Sequence, residues 1–217
     1  MSKTYSHILF DLDGTLTDSG PGIMNSFAYA VEKMGGQVTD KESFRKFVGP
    51  PLQDSFGRVL GYSPEDTQKA IVFYREYYFG KGGATENTVY PGIEELLSEL
   101  KKAGKTLLVA TSKNIRGTTL VLEHFGLNKY FDFVATANDE DRLHKSDVIR
   151  YALSLCKGVD PKDCVMVGDR ENDVSAANEV GVDSIGVLYG YGDEEELTTA
   201  GATHLAATAE DVRKLIG

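Results

Sequence analysis

Two aspartates separated by a single residue, Asp11 and Asp13, are the most chemically informative pair in this chain. They follow the short apolar run His7–Phe10 and precede Gly14, a pattern typical of a buried strand that ends in a turn. Because side chains two residues apart on a strand share a face, we expect both carboxylates to point towards the same place. Like charges so close together are costly unless a cation or a shared proton offsets them. The pair therefore predicts metal or phosphoryl chemistry, with a plain Asp-Gly turn as the structural alternative.

Three further polar segments lie where apolar runs end or where a helix begins. They are Ala110–Asn114 after Leu107–Val109, Lys145–Arg150, and Gly168–Asp173 after Cys164–Val167.

The elements that must position these segments alternate between strand and helix. Short apolar runs predict buried parallel strands at 6–10, 105–110, 132–136, 164–168 and 184–188, with a weaker sixth strand near 204–206. Helical spacing of apolar residues fills the gaps at 91–100, 114–125, 146–157 and 172–180, each followed by a glycine. This alternation predicts an α/β fold with a doubly wound parallel sheet, in which ligands bind beyond the carboxyl ends of the strands.

Between the first and second strands the pattern becomes helical. Ile23, Phe27 and Val31 fall on one helical face, and Pro64–Phe79 carries a second stripe that is rich in tyrosine. We therefore predict an all-helical insertion over 17–85, with the core formed by 1–16 and 86–217. Glycines near residues 19–20 and 80–83 suit hinges, or simply a loose loop.

Composition narrows the class of protein. The chain has 217 residues and a formal net charge of −10, which disfavours nucleic acid as a partner because binding to a phosphate backbone needs a basic patch. No run of about 18 apolar residues is present, so no membrane span is expected. Neither is a signal-peptide core visible at the N-terminus. Cys156 and Cys164 lie in apolar runs, which favours reduced core residues in a cytoplasmic protein.

The polar segments together resemble the motifs of a known superfamily. Asp-x-Asp-Gly-Thr-Leu-x-Asp-Ser at 11–19 is similar to the first motif of the haloacid dehalogenase (HAD) superfamily in its phosphatase form. The other segments follow in the order of that family, and the resemblance covers essentially the whole chain. It implies a HAD-like, Rossmann-type core, with the insertion acting as a mobile cap over the site.

The resemblance implies roles for the two aspartates. Asp11 would be the nucleophile that forms an aspartyl-phosphate, and Asp13 would protonate the leaving oxygen and then activate water. Dehalogenases of the superfamily lack the second aspartate, because a halide leaves without a proton. The presence of Asp13 therefore favours phosphate chemistry.

A magnesium site is implied at the same place. Asp169 would complete an oxygen-only site with Asp11 and the backbone carbonyl of Asp13, a donor set that suits Mg²⁺. Asp173, one helical turn further on, would ligate the metal directly or hold its ligands. The alternative is that Asp169 and Asp173 only cap a helix N-terminus.

Positive and polar groups would hold the phosphoryl oxygens. Thr111, or less favourably Ser112, would offer a hydroxyl and a backbone N–H, and Lys145 would neutralise negative charge. Proline commonly follows this lysine in the family, whereas Ser146 stands here. Lys113 and Arg142 are lesser candidates for the same task.

The sequence gives weaker signals for the residues that would contact the rest of the substrate than for those that would contact its phosphoryl group. Asn114 and Arg116 are candidates on the core. Within the insertion, the stiff turn at 47–52 matches the place where relatives carry specificity residues, and the candidate cations and polar groups there are Arg45, Gln53 and Arg75.

These features predict an Mg²⁺-dependent phosphatase of small phosphate monoesters, similar to the phosphoglycolate phosphatase branch. The alternatives are an inorganic pyrophosphatase, a 5′-nucleotidase, a sugar-phosphate mutase, or a non-catalytic binding protein on this fold. The expected partner is a small phosphorylated metabolite, with the chain a monomer or homodimer.

Overall fold

The computed structural model describes residues 3–138 and 140–217 as two compact units. One unit combines the residues up to Thr17 with Val89–Gly217, and the other is Asp18–Thr88. The second unit starts one residue later than the start of the predicted insertion, 17–85, and ends three residues later than its end.

Strands and helices alternate through most of the chain. The strands are β1 His7–Phe10, β2 Thr17–Asp18, β3 Thr88–Val89, β4 Thr106–Asn114, β5 Phe133–Ala137, β6 Cys164–Gly168, β7 Asp183–Val187 and β8 His204–Ala206. The α-helices are α1 Gly20–Lys33, α2 Pro64–Gly80, α3 Ile93–Lys102, α4 Ile115–His124, α5 Lys145–Leu155, α6 Glu171–Val180, α7 Glu194–Thr199 and α8 Ala209–Ile216.

The core unit is built on a six-stranded parallel sheet with the order β5-β4-β1-β6-β7-β8. In register, His7 of the central strand β1 lies opposite Thr106 of β4 on one side and Cys164 of β6 on the other. All the predicted strands are present, including the weaker sixth strand, so the predicted α/β fold is confirmed.

Apolar side chains cover both faces of this sheet. One buried cluster joins the sheet to Leu97 of α3, Val121 of α4 and Val212 of α8. The other joins the opposite face to Val148 of α5 and Ala177 of α6. Helices on both faces are what a doubly wound sheet requires, since each strand must bury side chains in both directions.

The insertion unit packs around one aromatic side chain, Phe27 of α1. The ring centroid of Phe27 lies 5.0 Å from that of Phe47, 4.8 Å from that of Phe56 and 5.1 Å from that of Tyr74 on α2. Helix α2 begins where Ser63 accepts a hydrogen bond from the backbone N–H of Asp66. Between α1 and α2 the chain forms a 3₁₀ turn over Glu42–Phe47 and a π-helical turn over Asp54–Val59.

Strands β2 and β3 lie at the borders of this helical unit, where the sequence indicated no strand. They pair as a two-stranded ribbon of two residues each, too short to leave an alternating pattern in the sequence.

One glycine of the second predicted hinge, Gly83, is packed against α1. A Cβ on Gly22 would lie 1.8 Å from the carbonyl oxygen of Gly83, and a Cβ on Gly83 would lie 2.9 Å from Ser26 Oγ. The backbone N–H of Gly22 also donates to the carbonyl of Glu86 at 3.0 Å. The absence of side chains at Gly22 and Gly83 therefore lets the first turn of α1 approach residues 83–86 closely, which a loose loop would not require.

Across the described ranges, none of the helices combines the length and the apolar character needed to cross a membrane.

Candidate active site

Three of the predicted site residues lie at the carboxyl edge of the core sheet. Asp11 directly follows β1, Thr111 lies near the end of β4, and Asp169 directly follows β6. These are three neighbouring strands in the order β4-β1-β6. The backbone N–H of Asp11 donates to the carbonyl of Val167 at 2.9 Å, which continues the sheet pairing up to the site.

Lys145, the first residue of α5, lies between two of the predicted carboxylates. Its Nζ is 2.5 Å from Asp11 Oδ1 and 2.7 Å from Asp173 Oδ1. All three side chains are at most 8% exposed. Asp173 Oδ2 accepts a hydrogen bond from the backbone N–H of Arg170 at 3.2 Å. Asp173 therefore both caps α6 and holds Lys145, so the capping and functional interpretations of this residue are compatible.

Asp169 is fully buried and is held through both carboxylate oxygens. Thr15 Oγ1 donates to Asp169 Oδ1 at 3.2 Å, and the backbone N–H of Tyr191 donates to Asp169 Oδ2 at 2.8 Å. Gly14 has a φ of +89°, and a Cβ there would lie 2.2 Å from Asp169 Oδ2. The glycine of the first motif is thus required both by its backbone conformation and by the close approach of Asp169.

The carboxylates form a cluster that suits a hard divalent cation. One oxygen each from Asp11, Asp169 and Asp173 lies within 4.8 Å of the others, and all three residues are buried. Burial, reinforced by the neighbouring carboxylates, raises the pKa of Asp11 to about 6 despite the attraction of Lys145, and raises the pKa of Asp169 well above its usual range. Buried negative charge that one lysine does not offset is the environment that a bound Mg²⁺ would compensate. The donor set therefore fits the predicted metal.

Asp13 pairs with a different lysine. Lys113 Nζ lies 2.8 Å from one carboxylate oxygen of Asp13 and 3.0 Å from the other, and both side chains are about nine-tenths buried. The premise that Asp11 and Asp13 lie on one strand is wrong, because β1 ends at Phe10 and Asp13 lies in the following turn. The two carboxylates pair with different lysines, Asp11 with Lys145 and Asp13 with Lys113.

Lys113, a lesser candidate for phosphoryl contact in the sequence, is held near Thr111 and the first turn of α4 as well as beside Asp13. Its backbone N–H donates to Thr111 Oγ1 at 3.2 Å, and its side chain packs over Gly117. A Cβ on Gly117 would lie 3.1 Å from Lys113 Cε, so a glycine in the first turn of α4 leaves room for this lysine. The signal in the sequence was the position of Lys113 directly after Thr111 and Ser112.

The other predicted contact residues are placed as follows. Thr111 is buried and Ser112 is half-buried. Asn114 Oδ1 accepts the backbone N–H of Gly117 at 2.9 Å, so this oxygen caps α4. Arg142 donates from Nε to the carbonyl of Thr136 in β5 and stacks on the ring of Tyr151 in α5. The remaining candidates are exposed: Arg116 on the core, and Arg45, Gln53 and Arg75 in the insertion unit.

Thr15 and the loop Tyr189–Gly192 contact Asp169 and were missed as site residues. Thr15 belongs to the first motif but was not assigned a role. The loop follows β7, and its only sequence signal is the pair of glycines at 190 and 192.

The sequence matches the model of the haloacid dehalogenase-like hydrolase family over residues 8–187. That match includes every motif of the site described above. The chain therefore belongs to this hydrolase family, and a phosphatase is the enzyme class that its phosphatase-named relatives support.

Three relatives of this chain carry different names. A tyrosine-protein kinase PtkA of Mycobacterium tuberculosis is 39% identical over 97% of this chain and 72% of its own length. A 5′-nucleotidase of Pseudomonas aeruginosa is 38% identical over 98% of this chain and 96% of its own length. A phosphoglycolate phosphatase of Vibrio parahaemolyticus is 30% identical over 96% of this chain and 95% of its own length.

Among solved structures, a predicted phosphatase of Clostridium acetobutylicum is 44% identical and superposes with a TM-score of 0.93. The superposition covers 99% of both chains, so the similarity includes both units.

Proposed function

We propose that this protein is a phosphoglycolate phosphatase-like, Mg²⁺-dependent enzyme that hydrolyses small phosphate monoesters through an aspartyl-phosphate on Asp11. The observation that carries the proposal is the buried cluster in which Lys145 bridges Asp11 and Asp173, with Asp169 beside them. Fully buried charges of this kind contribute little to stability, which favours a chemical role.

In the first half of the proposed reaction, a carboxylate oxygen of Asp11 attacks the phosphorus atom of the ester. The bond between phosphorus and the ester oxygen breaks, and its electron pair leaves with that oxygen, which takes a proton from Asp13. Lys145 offsets negative charge at Asp11, while the Thr111 hydroxyl is available to a phosphoryl oxygen.

In the second half, a water oxygen attacks the phosphorus atom of the aspartyl-phosphate. The proton of that water passes to Asp13, and the bond between phosphorus and the Asp11 oxygen breaks. Inorganic phosphate and the original carboxylate are thereby regenerated. Lys113, paired to both oxygens of Asp13, would keep the acid-base group in place through both halves.

Asp11 and Asp169 would hold the Mg²⁺, with the Asp13 carbonyl as a further ligand and Asp173 either a ligand or the group that fixes the others. When bound, the cation supplies charge compensation for the phosphoryl oxygens.

A 5′-nucleotidase is the second candidate, favoured by one comparison. The nucleotidase relative is 38% identical along nearly its whole length, whereas the phosphoglycolate phosphatase relative is 30% identical. Both substrates are small phosphate monoesters, so the catalytic residues would be the same. The difference would lie in the groups that receive the leaving alcohol, for which Arg45 is a candidate in the insertion. We further propose a monomer or homodimer in the cytoplasm.

The test is initial-rate phosphate release from a panel of substrates, with and without Mg²⁺. The panel holds phosphoglycolate, nucleoside monophosphates, pyrophosphate, hexose phosphates and p-nitrophenyl phosphate, with Asp11→Asn as the control. Mg²⁺-dependent release from one ester far above the rest would support the proposal and choose between the two candidates.

A separate assay uses ATP and a tyrosine-containing peptide, because one relative is named a tyrosine-protein kinase. Transfer of phosphate to the peptide without release from any ester would contradict the hydrolase proposal. Absence of all turnover would favour a binding protein.

A further inference from the structure

The loop Tyr189–Gly192, which follows β7, encloses the backbone and carboxylate of Asp169. The Tyr191 backbone N–H donates to Asp169 Oδ2 at 2.8 Å, and the Gly192 backbone N–H donates to the Asp169 carbonyl at 3.2 Å. The loop thus holds both the backbone of Asp169 and the carboxylate oxygen that Thr15 does not bind.

The glycines of this loop are required by its close approach to Asp169. A Cβ on Gly190 would lie 2.3 Å from Asp169 Cβ and 2.5 Å from the carbonyl oxygen of Gly14. A Cβ on Gly192 would lie 2.2 Å from the Asp169 carbonyl oxygen. Any side chain at either position would have to displace Asp169 or the first motif.

Tyr189 connects the same loop to the opposite side of Asp169. Its hydroxyl donates to the carbonyl of Thr15 at 3.1 Å, and Thr15 Oγ1 in turn donates to Asp169 Oδ1 at 3.2 Å. The Tyr189 ring packs against Tyr90, with 4.9 Å between the centroids. Both oxygens of Asp169 are therefore oriented by groups that the one loop holds, directly through Tyr191 and indirectly through Thr15.

We propose that the Tyr189–Gly192 loop is a positioning element that fixes the orientation of Asp169 for a divalent cation. The inference rests on the proposed function, because it takes Asp169 to be a ligand of Mg²⁺. Hydrogen bonds to a ligating carboxylate fix its orientation before the metal arrives, and their loss typically weakens metal affinity by about 10- to 100-fold. None of the residues that we propose as Mg²⁺ ligands lies in the loop, so we expect its effect to be on the affinity and geometry of the site.

The experiment is titration of the full-length protein with Mg²⁺ by isothermal calorimetry. We expect Gly190→Ala to weaken Mg²⁺ binding by about 10- to 100-fold. Tyr189→Phe removes only the hydroxyl and should weaken binding in the same direction by roughly threefold or more, because it acts through Thr15. Circular dichroism in the absence of Mg²⁺ establishes that each variant is folded.

Two matched control variants distinguish a loss of Asp169 orientation from a general effect of mutation on the fold. Gly80→Ala adds a methyl group where nothing lies within 4 Å, and Tyr130→Phe removes a hydroxyl from another tyrosine of the core unit. Both should bind Mg²⁺ with the affinity of the unmodified protein.

The outcomes distinguish this inference from the function on which it rests. An unmodified protein that binds no Mg²⁺ would remove the cation site and overturn the proposed function together with the inference. If the unmodified protein binds Mg²⁺ and Gly190→Ala binds equally well, only the inference is overturned. If Gly190→Ala does not fold, Tyr189→Phe decides: unchanged affinity overturns the inference, and weakened affinity supports it.

Discussion

The carboxyl edge of the core sheet and the centre of the insertion unit bury opposite kinds of side chain. At the carboxyl edge of the core sheet, Asp11, Lys145, Asp169 and Asp173 are all at most 7% exposed. In the insertion unit the buried centre is a group of aromatic rings around Phe27, which is itself fully buried.

The difference shows which interior serves stability and which serves chemistry. Burying aromatic rings removes a large apolar surface from water and stabilises the folded state. Burying charges costs free energy that their mutual attraction barely returns. The core unit can carry such a cluster because its two large apolar faces stabilise it independently. We therefore expect mutations in the two interiors to separate activity from stability.

The largest effect is expected from Asp11→Asn. This variant removes the proposed nucleophile, so phosphate release should fall by roughly 10⁴-fold or more. Its melting temperature should be equal to or above that of the unmodified protein, because the buried charge of Asp11 is unfavourable. Steady-state assays and thermal unfolding of the same sample test both statements. Retained activity would exclude Asp11 as the nucleophile.

Phe27→Ala should produce the reverse pattern, with a loss of stability. Truncating this ring leaves a cavity among Phe47, Phe56 and Tyr74, and should lower the unfolding free energy by about 3–5 kcal/mol. Urea unfolding measures the change, with Val72→Ala as the control because Val72 is 62% exposed. A loss below about 1 kcal/mol would mean that the aromatic group does not stabilise the insertion.

Within the core unit, Lys113→Met tests whether Lys113 positions Asp13 as the acid that protonates the leaving group. Without the ammonium group beside Asp13, kcat for alkyl phosphates should fall roughly tenfold. The loss should be smaller for p-nitrophenyl phosphate, whose leaving group needs little protonation. Lys129→Met is the matched control, since Lys129 is 60% exposed. Equal losses for both kinds of ester would contradict the positioning of an acid by Lys113.

The smallest effect, on the free energy of unfolding, is expected from replacing Asp183, a carboxylate away from the candidate active site. Burial raises the pKa of Asp183, but hydrogen bonds from Lys3 and Tyr5 outweigh burial and lower it below its usual value. A carboxylate with a lowered folded-state pKa stabilises the protein above its unfolded pKa of about 3.9, and this contribution disappears as the pH falls through the folded value.

Asp183→Asn should therefore lower the unfolding free energy at pH 7 by less than about 1 kcal/mol, because Lys3 is 47% exposed and the pair is screened by solvent. Unfolding curves at several pH values test this. The two proteins should converge below about pH 4, and a difference that grows with acidity would contradict the assignment.

Strand positions were predictable because each buried parallel strand is a short apolar run, as in Cys164–Val167. Helices α3, α4, α5 and α6 were predictable because their apolar residues recur at helical spacing and a glycine follows each one, whereas the short helices α7 and α8 were not predicted. The two-residue strands β2 and β3 were not predictable, since two residues cannot show a period.

Candidate site residues could be predicted from their position at the ends of strands as much as from their residue type. Asp11, Thr111 and Asp169 are polar residues at the ends of apolar runs, and parallel strands bring those ends to one edge. The pairing of Lys113 with Asp13 did not follow, because a residue past a strand end has no fixed direction until the neighbouring turn is built.

The sequence by itself determined the order of the six sheet strands and of helices α3 to α6, and several of the residues at the carboxyl edge. Through the resemblance of its first motif to that of HAD phosphatases, it also favoured phosphate chemistry over halide chemistry. These depend on local patterns, namely apolar runs, helical spacing and the motif at 11–19. Only the tertiary structure decided which lysine meets which aspartate, and that Thr15 and the Tyr189–Gly192 loop hold Asp169. Thr15 and Asp169, for example, are more than 100 positions apart in the chain. The geometry of such contacts depends on how the sheet aligns its strands.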